Sequence, residues 1–191
     1  MNLIHHLPVL LIILPLSASL LSPILSKLWK QLGRILVIVS LAASFLCAIG
    51  LLCQVLSASS GQIHYYMGNW EPPLGIEFVI DPLNALLVLF ITFIALCTSV
   101  YCGNFLQNKR WIQTGGFFTL IGLLTVGLCG MTLTGDVFNL YVFLEVASIS
   151  CYGLVALGGG KSILAAFRYL LVGTVGASFY LIAVGILYSM T

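Results

Sequence analysis

The sequence is short of charge. Of 191 residues, seven are Lys or Arg and five are Asp or Glu, which is 6% of the chain. A soluble domain carries about 25%, so this chain cannot clothe a water-facing surface. With 61% apolar residues and a mean hydropathy of +1.16, it reads as an integral membrane protein embedded in a lipid bilayer. The few basic residues cannot form a nucleic-acid patch. No CxxC pair occurs among Cys47, Cys53, Cys97, Cys102, Cys129 and Cys151, and all six stand in or beside apolar runs. They read as small buried hydrophobes, not as metal ligands or disulfides. The three histidines, His5, His6 and His64, sit near ends of apolar runs or between them. Haem held between helices needs histidine at membrane depth, so no cofactor is expected, haem and quinone included. No nucleotide loop, nucleophile arrangement or metal-ligand spacing is visible, and no catalytic site is expected in the chain itself. The first apolar run lacks the positive n-region of a signal peptide and reads as a spanning helix.

What is abundant is apolar length. A span needs about 20 apolar residues, and six runs qualify: Leu3–Ser26, Ile35–Leu56, Pro82–Phe105, Trp111–Leu133, Val137–Leu157 and Ser162–Tyr188. The expected architecture is an all-α membrane protein of six transmembrane helices forming one membrane domain. It divides into helices one and two (1–56), a connecting hairpin (57–81), helices three and four (82–133), and helices five and six (134–191).

Charge is unevenly distributed over the links. Lys27, Lys30 and Arg34 join helices one and two, Lys109 and Arg110 join three and four, and Lys161 joins five and six. The alternate links hold Glu71, Glu77, Asp81 and Asp136 and no basic residue. The positive-inside rule puts the basic links in the cytoplasm and both termini outside, in a multi-pass protein of the cell's inner (plasma) membrane. The longest link alternates Ile76, Phe78 and Ile80 with Gly75, Glu77 and Val79. With "GNWEPP" as turn chemistry, it predicts a small β-hairpin over the outer helix ends. It could serve as a lid or as a partner-contact surface. Asp81 should cap helix three, with Pro82 at its first position. Three prolines, Pro8, Pro15 and Pro23, predict a kink in helix one.

One carboxylate stands out. Glu145 lies nine residues beyond Asp136, which is placed to cap helix five. Nine residues descend about 13.5 Å into a hydrocarbon core about 30 Å thick. Tyr141, Ser148 and Tyr152, at i−4, i+3 and i+7, give it a polar stripe. An ionisable group at that depth is costly and usually paired or on a pathway. Arg168, about 10.5 Å into helix six from Lys161, is the candidate partner, with Lys161 on the same face. Two readings fit: a proton relay whose carboxylate responds to a basic neighbour, or a static bridge that orients helices five and six. Gly173, Gly176 and Ala177 should let another helix approach helix six closely.

The strings "GDVFNLYVFLEVASISCYGLVALG", "AAFRYLLVGTVGASFYLIAVGILY" and "YMGNWEPPLGIEFVIDPLNALLVLF" resemble the antiporter-like membrane subunits. These are the D-type subunits of multisubunit Na+/H+ antiporters, the N-, M- and L-type subunits of complex I (NADH-quinone oxidoreductase), and membrane-bound hydrogenase equivalents. The resemblance covers nearly the whole chain and is closest to the D type. It implies that Glu145 is the fifth-helix glutamate of a charge pair used in proton translocation, and that Arg168 stands where relatives carry a basic residue on the sixth. Such subunits have about fourteen helices, in which a lysine of the seventh pairs with the glutamate. The resemblance therefore implies half of a split or truncated subunit, completed by another chain among other membrane subunits of a complex. A short scaffold or assembly subunit without transport of its own is the alternative. Whether H+ moves alone or exchanges with Na+ is left open.

Overall fold

The computed structural model describes residues 6–58, 61–70, 75–105 and 111–190. His5, Glu71, Lys109 and Arg110 lie outside the described residues, as do much of the "GNWEPP" turn and the side chain of Lys30. Six helices run in order: α1 Leu7–Leu28, α2 Lys30–Ser57, α3 Pro82–Phe105, α4 Trp111–Leu133, α5 Val137–Ala156 and α6 Lys161–Met190. All six contain windows long and apolar enough to cross a membrane, and the protein is a multi-pass membrane protein. Between α2 and α3 lie β1 Ile63–Tyr66 and β2 Glu77–Ile80, paired antiparallel with Ile63 opposite Ile80 and Tyr66 opposite Glu77.

The helix bounds differ most from the apolar runs at α2, which starts five residues before Ile35. The extra residues, Lys30–Arg34, include Lys, Gln, Leu and Arg, all strong helix formers, so the helix outruns its hydrophobic stretch. The break between α1 and α2 is a single residue, Trp29, in extended conformation (φ −141°, ψ 117°). α1 carries Pro15 and Pro23 in its interior and is one continuous element from Leu7 to Leu28. α3 starts at Pro82 with Asp81 accepting from the Asn84 amide at 2.6 Å, which satisfies one of the donors left unpaired at a helix start.

Lipid tails give helices no hydrophobic push toward one another, so close packing of small residues does the work. α1 is held between α2 and α4 on such a seam. Ser22 and Ser26 lie against Gly33 of α2, Ser26 against Gly115 of α4, and Ser19 against Gly122 of α4. A side chain at Gly33 or Gly122 would collide with these serines. α4 is the central helix, with half of its apolar window buried, and it carries α5 on another face through Gly127 and Gly130.

The hairpin is built into one end of the bundle. Phe78 and Ile80 are fully buried with Leu11, Leu51, Val55, Val88 and Leu133, the period-2 alternation expected of a half-buried strand. β2 also bonds to the α4–α5 turn, Gly135 N–H donating to the Glu77 carbonyl at 2.9 Å, with a bridge between Phe78 and Thr134. His6, beside the start of α1, hydrogen-bonds the Tyr65 hydroxyl at 2.9 Å. Both described ends of the chain therefore lie on the hairpin side, along with Glu77, Asp81 and Asp136. Lys27, Arg34 and Lys161 lie at the opposite end. Arg34 is tied there, its Nη1 donating to the Gly103 carbonyl of α3 at 2.8 Å.

Candidate functional site: the seam between helices five and six

α5 begins on Asp136, whose backbone is extended and whose carboxylate accepts from the Phe138 and Asn139 amides, both at 3.1 Å. The same carboxylate accepts from the Tyr188 hydroxyl of α6 at 2.9 Å. Asp136 thus caps one helix and fastens the end of the next. An open cavity of about 590 Å³ sits here, lined by Gly75, Ile76, Asp136, Phe138, Leu181, Val184, Gly185 and Tyr188. Its walls are apolar apart from the Asp136 and Tyr188 groups.

Two faces of α5 are occupied. One packs on α4, where Phe143 and Ala147 lie against Gly130 and Gly127. The other meets α6 through tyrosines. Tyr141 stacks on Tyr180, with ring centroids 6.0 Å apart and planes 9° apart, and the Tyr180 hydroxyl donates to the Val137 carbonyl at 3.2 Å. Eleven residues on, Tyr152 meets Tyr169 edge-on at 4.7 Å, and its hydroxyl lies against Gly173. The stripe Tyr141, Glu145, Ser148 and Tyr152 therefore runs along the α6 seam. Glu145 stands between the two tyrosine contacts, the ninth residue of a 20-residue helix about 30 Å long. It is half-buried.

The α6 stretch between Tyr169 and Tyr180 contains Gly173, Gly176 and Ala177. Gly173 admits the Tyr152 hydroxyl and Ala177 is buried, whereas a methyl group at Gly176 would touch nothing within 4 Å. Only part of the small-residue face is thus used by α5.

Arg168 is not brought to Glu145. α6 presents to α5 the line of Ala166, Ala177 and Val184, its buried residues. Two residues beyond Ala166 is about 200° round the helix, so Arg168 points away from α5. It and Lys161 are exposed. Among the described residues, the side chains of Glu145, Arg168 and Lys161 make no ion pair or hydrogen bond, whereas His64 and Glu77 pair across the hairpin. No three of His, Cys, Asp and Glu gather as a metal site among the described residues. The sequence reading missed Tyr169, Tyr180 and Tyr188. The first two share a face of α6 at i and i+11, the spacing of Tyr141 and Tyr152 on α5, and that match was the available signal.

No protein-family model matches the chain. It is 42% identical over 186 residues to the N-type subunit of NADH-quinone oxidoreductase from Desulforudis audaxviator, covering 97% of this chain and 37% of the relative. It is 34% identical to the D-type subunit of a probable K(+)/H(+) antiporter from Rhizobium meliloti, covering 97% and 34%. With the D-type subunit of the Na(+)/H(+) antiporter from Bacillus subtilis the identity is 33%, covering 94% and 36%. Among solved structures, the fold superposes on a chain of the membrane-bound sulfane sulfur reductase, an archaeal respiratory membrane complex. The TM-score is 0.88 at 32% identity, over 96% of this chain and 37% of that one. A chain of the Mrp complex from Dietzia sp. gives 0.83 at 26%, over 100% and 35%. The chain spans little more than a third of the length of each. Within that span, this membrane chain, with six spanning helices among its described residues, is homologous to the N-type subunit of NADH-quinone oxidoreductase and to the D-type subunits of the cation/proton antiporters.

Proposed function

We propose that this chain is a cation/proton-translocating subunit of a multisubunit membrane complex, and that Glu145 is the group that takes up and releases the proton. The observation that carries the proposal is the position of Glu145. It is half-buried midway along an apolar helix, on a stripe with Tyr141, Ser148 and Tyr152, with no counter-charge among the described residues. An ionised carboxylate at a helix centre costs about 2.5–3.5 kcal/mol. A carboxylate in such surroundings gives up a proton as a cation approaches and takes one up as the cation withdraws. The resemblance implies a basic group as partner. Arg168 and Lys161 face away from α5, so the cation that approaches Glu145 comes from a helix beyond the described residues. Arg168 and Lys161 act on it at longer range.

The orientation follows from the same charges. With Lys27, Arg34 and Lys161 at one end and Glu77, Asp81 and Asp136 at the other, the positive-inside rule sets the hairpin on the outer face of the cell's inner membrane. The test is Glu145→Gln in the assembled complex, reconstituted in liposomes with a pH-sensitive dye inside. Proton movement should fall to background while the variant still co-purifies with its complex. Retained transport with weakened assembly would instead make the chain a structural subunit.

A further inference from the structure

α6 is the least embedded helix of the bundle. Only 11% of its apolar window is buried, against 22–50% for the other five. The face turned from α5 carries one stripe. Leu164, Arg168, Val172, Val175, Phe179, Ile182 and Ile186 follow one another at steps of three and four, the spacing of a helix–helix seam. The apolar members are all exposed, Val172 by 75% and Phe179 by 69%. Arg168 stands in this stripe about 10.5 Å from Lys161, the first residue of the helix.

A guanidinium within a spanning helix faces a bundle interior or a cavity and pairs with an opposite charge there. This chain's described carboxylates cannot supply one. Glu77, Asp81 and Asp136 are at the hairpin end, and Glu145 is on the far side of α6. We infer that the Arg168 face of α6 is a docking surface for a further transmembrane helix that carries an Asp or Glu level with Arg168. Arginine suits the task because its planar fork binds a carboxylate through two parallel hydrogen bonds, and it stays charged in a low-dielectric site. The apolar residues beyond it, with β-branched Val172, Val175 and Ile182, provide stiff packing for the partner. This surface is distinct from the Glu145 seam, and the inference stands whether or not Glu145 carries protons.

The test places a photo-crosslinking amino acid at Val172 or Phe179 of the tagged full chain in its native membrane, with Ile94 of α3 as the control position. Crosslinked peptides are then identified by mass spectrometry. Both α6 positions should join one membrane segment containing an Asp or Glu. Arg168→Glu should reduce that product by more than about tenfold, and Arg168→Lys should retain much of it. Exchanging the partner's carboxylate for arginine should restore it in the Arg168→Glu background. Far-UV circular dichroism of the purified Arg168→Leu variant shows whether the helices survive. Intact helices with a lost crosslink support the pairing. Crosslinks to phospholipid alone would overturn the inference and make Arg168 a side chain that reaches to headgroups. A joined segment without a carboxylate, or a crosslink indifferent to Arg168→Glu, would overturn it equally.

Discussion

Replacing Gly127 with alanine tests whether α4 and α5 are held by backbone contact. A Cβ built there lies 2.7 Å from the Ala147 nitrogen, 2.8 Å from the Ala147 Cβ and 2.8 Å from the Phe143 carbonyl oxygen. Two of the three are backbone atoms of α5, so no side chain can swing aside. Ordinary contact begins near 3.4 Å, so the helices must part by roughly 0.6–0.7 Å. Overpacking of this kind costs about 1–3 kcal/mol. Alanine also gains about 1 kcal/mol over glycine inside a helix, which would blur a single measurement. Gly176 supplies the control, because it too is within a helix and has nothing within 4 Å of its would-be Cβ. The propensity gain is common to both variants and cancels in their difference. Gly127→Ala should therefore be less stable than Gly176→Ala by about 1–3 kcal/mol, or roughly 5- to 150-fold in the unfolding equilibrium. Reversible unfolding of the purified chain in mixed micelles, followed by far-UV circular dichroism, reads the difference. Equal stabilities, or a greater loss in Gly176→Ala, would refute the account of the α4–α5 seam.

Asp136→Ala should remove two amide acceptors and the Tyr188 partner together. The expected loss is about 1–2 kcal/mol, seen locally as faster hydrogen exchange at the Phe138 and Asn139 amides. Tyr188→Phe should leave those amides protected. Gly173→Ala should drive the Tyr152 hydroxyl off its seat and destabilise the α5–α6 hairpin. Tyr152→Phe in the same chain should recover part of that loss, and a thermal-shift series over the two single variants and the double variant checks the coupling.

The six helices were legible because their length and apolarity are dictated by a bilayer, and α3 and α4 end where the hydrophobic runs end. Asp136, Asp81 and Pro82 were legible because a helix start needs acceptors for its free amides. The α2 start was not, since Lys30–Arg34 are polar yet helix-forming, and hydropathy reads only the first property. The face of Glu145 was legible from spacing within α5, because Tyr141, Ser148 and Tyr152 share it whatever α5 meets. Its partner was not. Depth estimates brought Arg168 near Glu145, but pairing depends on the rotation of α6 about its own axis. That rotation is fixed by Ala166, Ala177 and Val184 packing against α5, and it turns Arg168 outward. The serine–glycine contacts of α1 with α2 and α4 were equally hidden, because small residues at an interface look the same in sequence as small residues facing lipid.

The unpaired charges of the apolar helices bear on one another. A carboxylate and a guanidinium in neighbouring helices would gain most by facing each other in a low-dielectric medium, and a rotation of α6 would permit it. The fold instead gives that face of α6 to tyrosines, with Tyr180 over Tyr141 and Tyr169 against Tyr152. Aromatic contacts are worth about 0.5–1.5 kcal/mol each beyond their area, so the two together offset only part of the cost of about 2.5–3.5 kcal/mol for an ionised carboxylate at a helix centre. The seam is thus built on aromatic contacts and not on an ion pair with Glu145. A carboxylate locked in a bridge to Arg168 would resist protonation, because its neighbour would hold it ionised. Glu145 instead stands between two tyrosine contacts with no ion pair among the described residues, the arrangement on which the proposed relay rests. The same rotation that denies it Arg168 leaves Arg168 available to another helix, so the packing of α6 sets the conditions for both proposals.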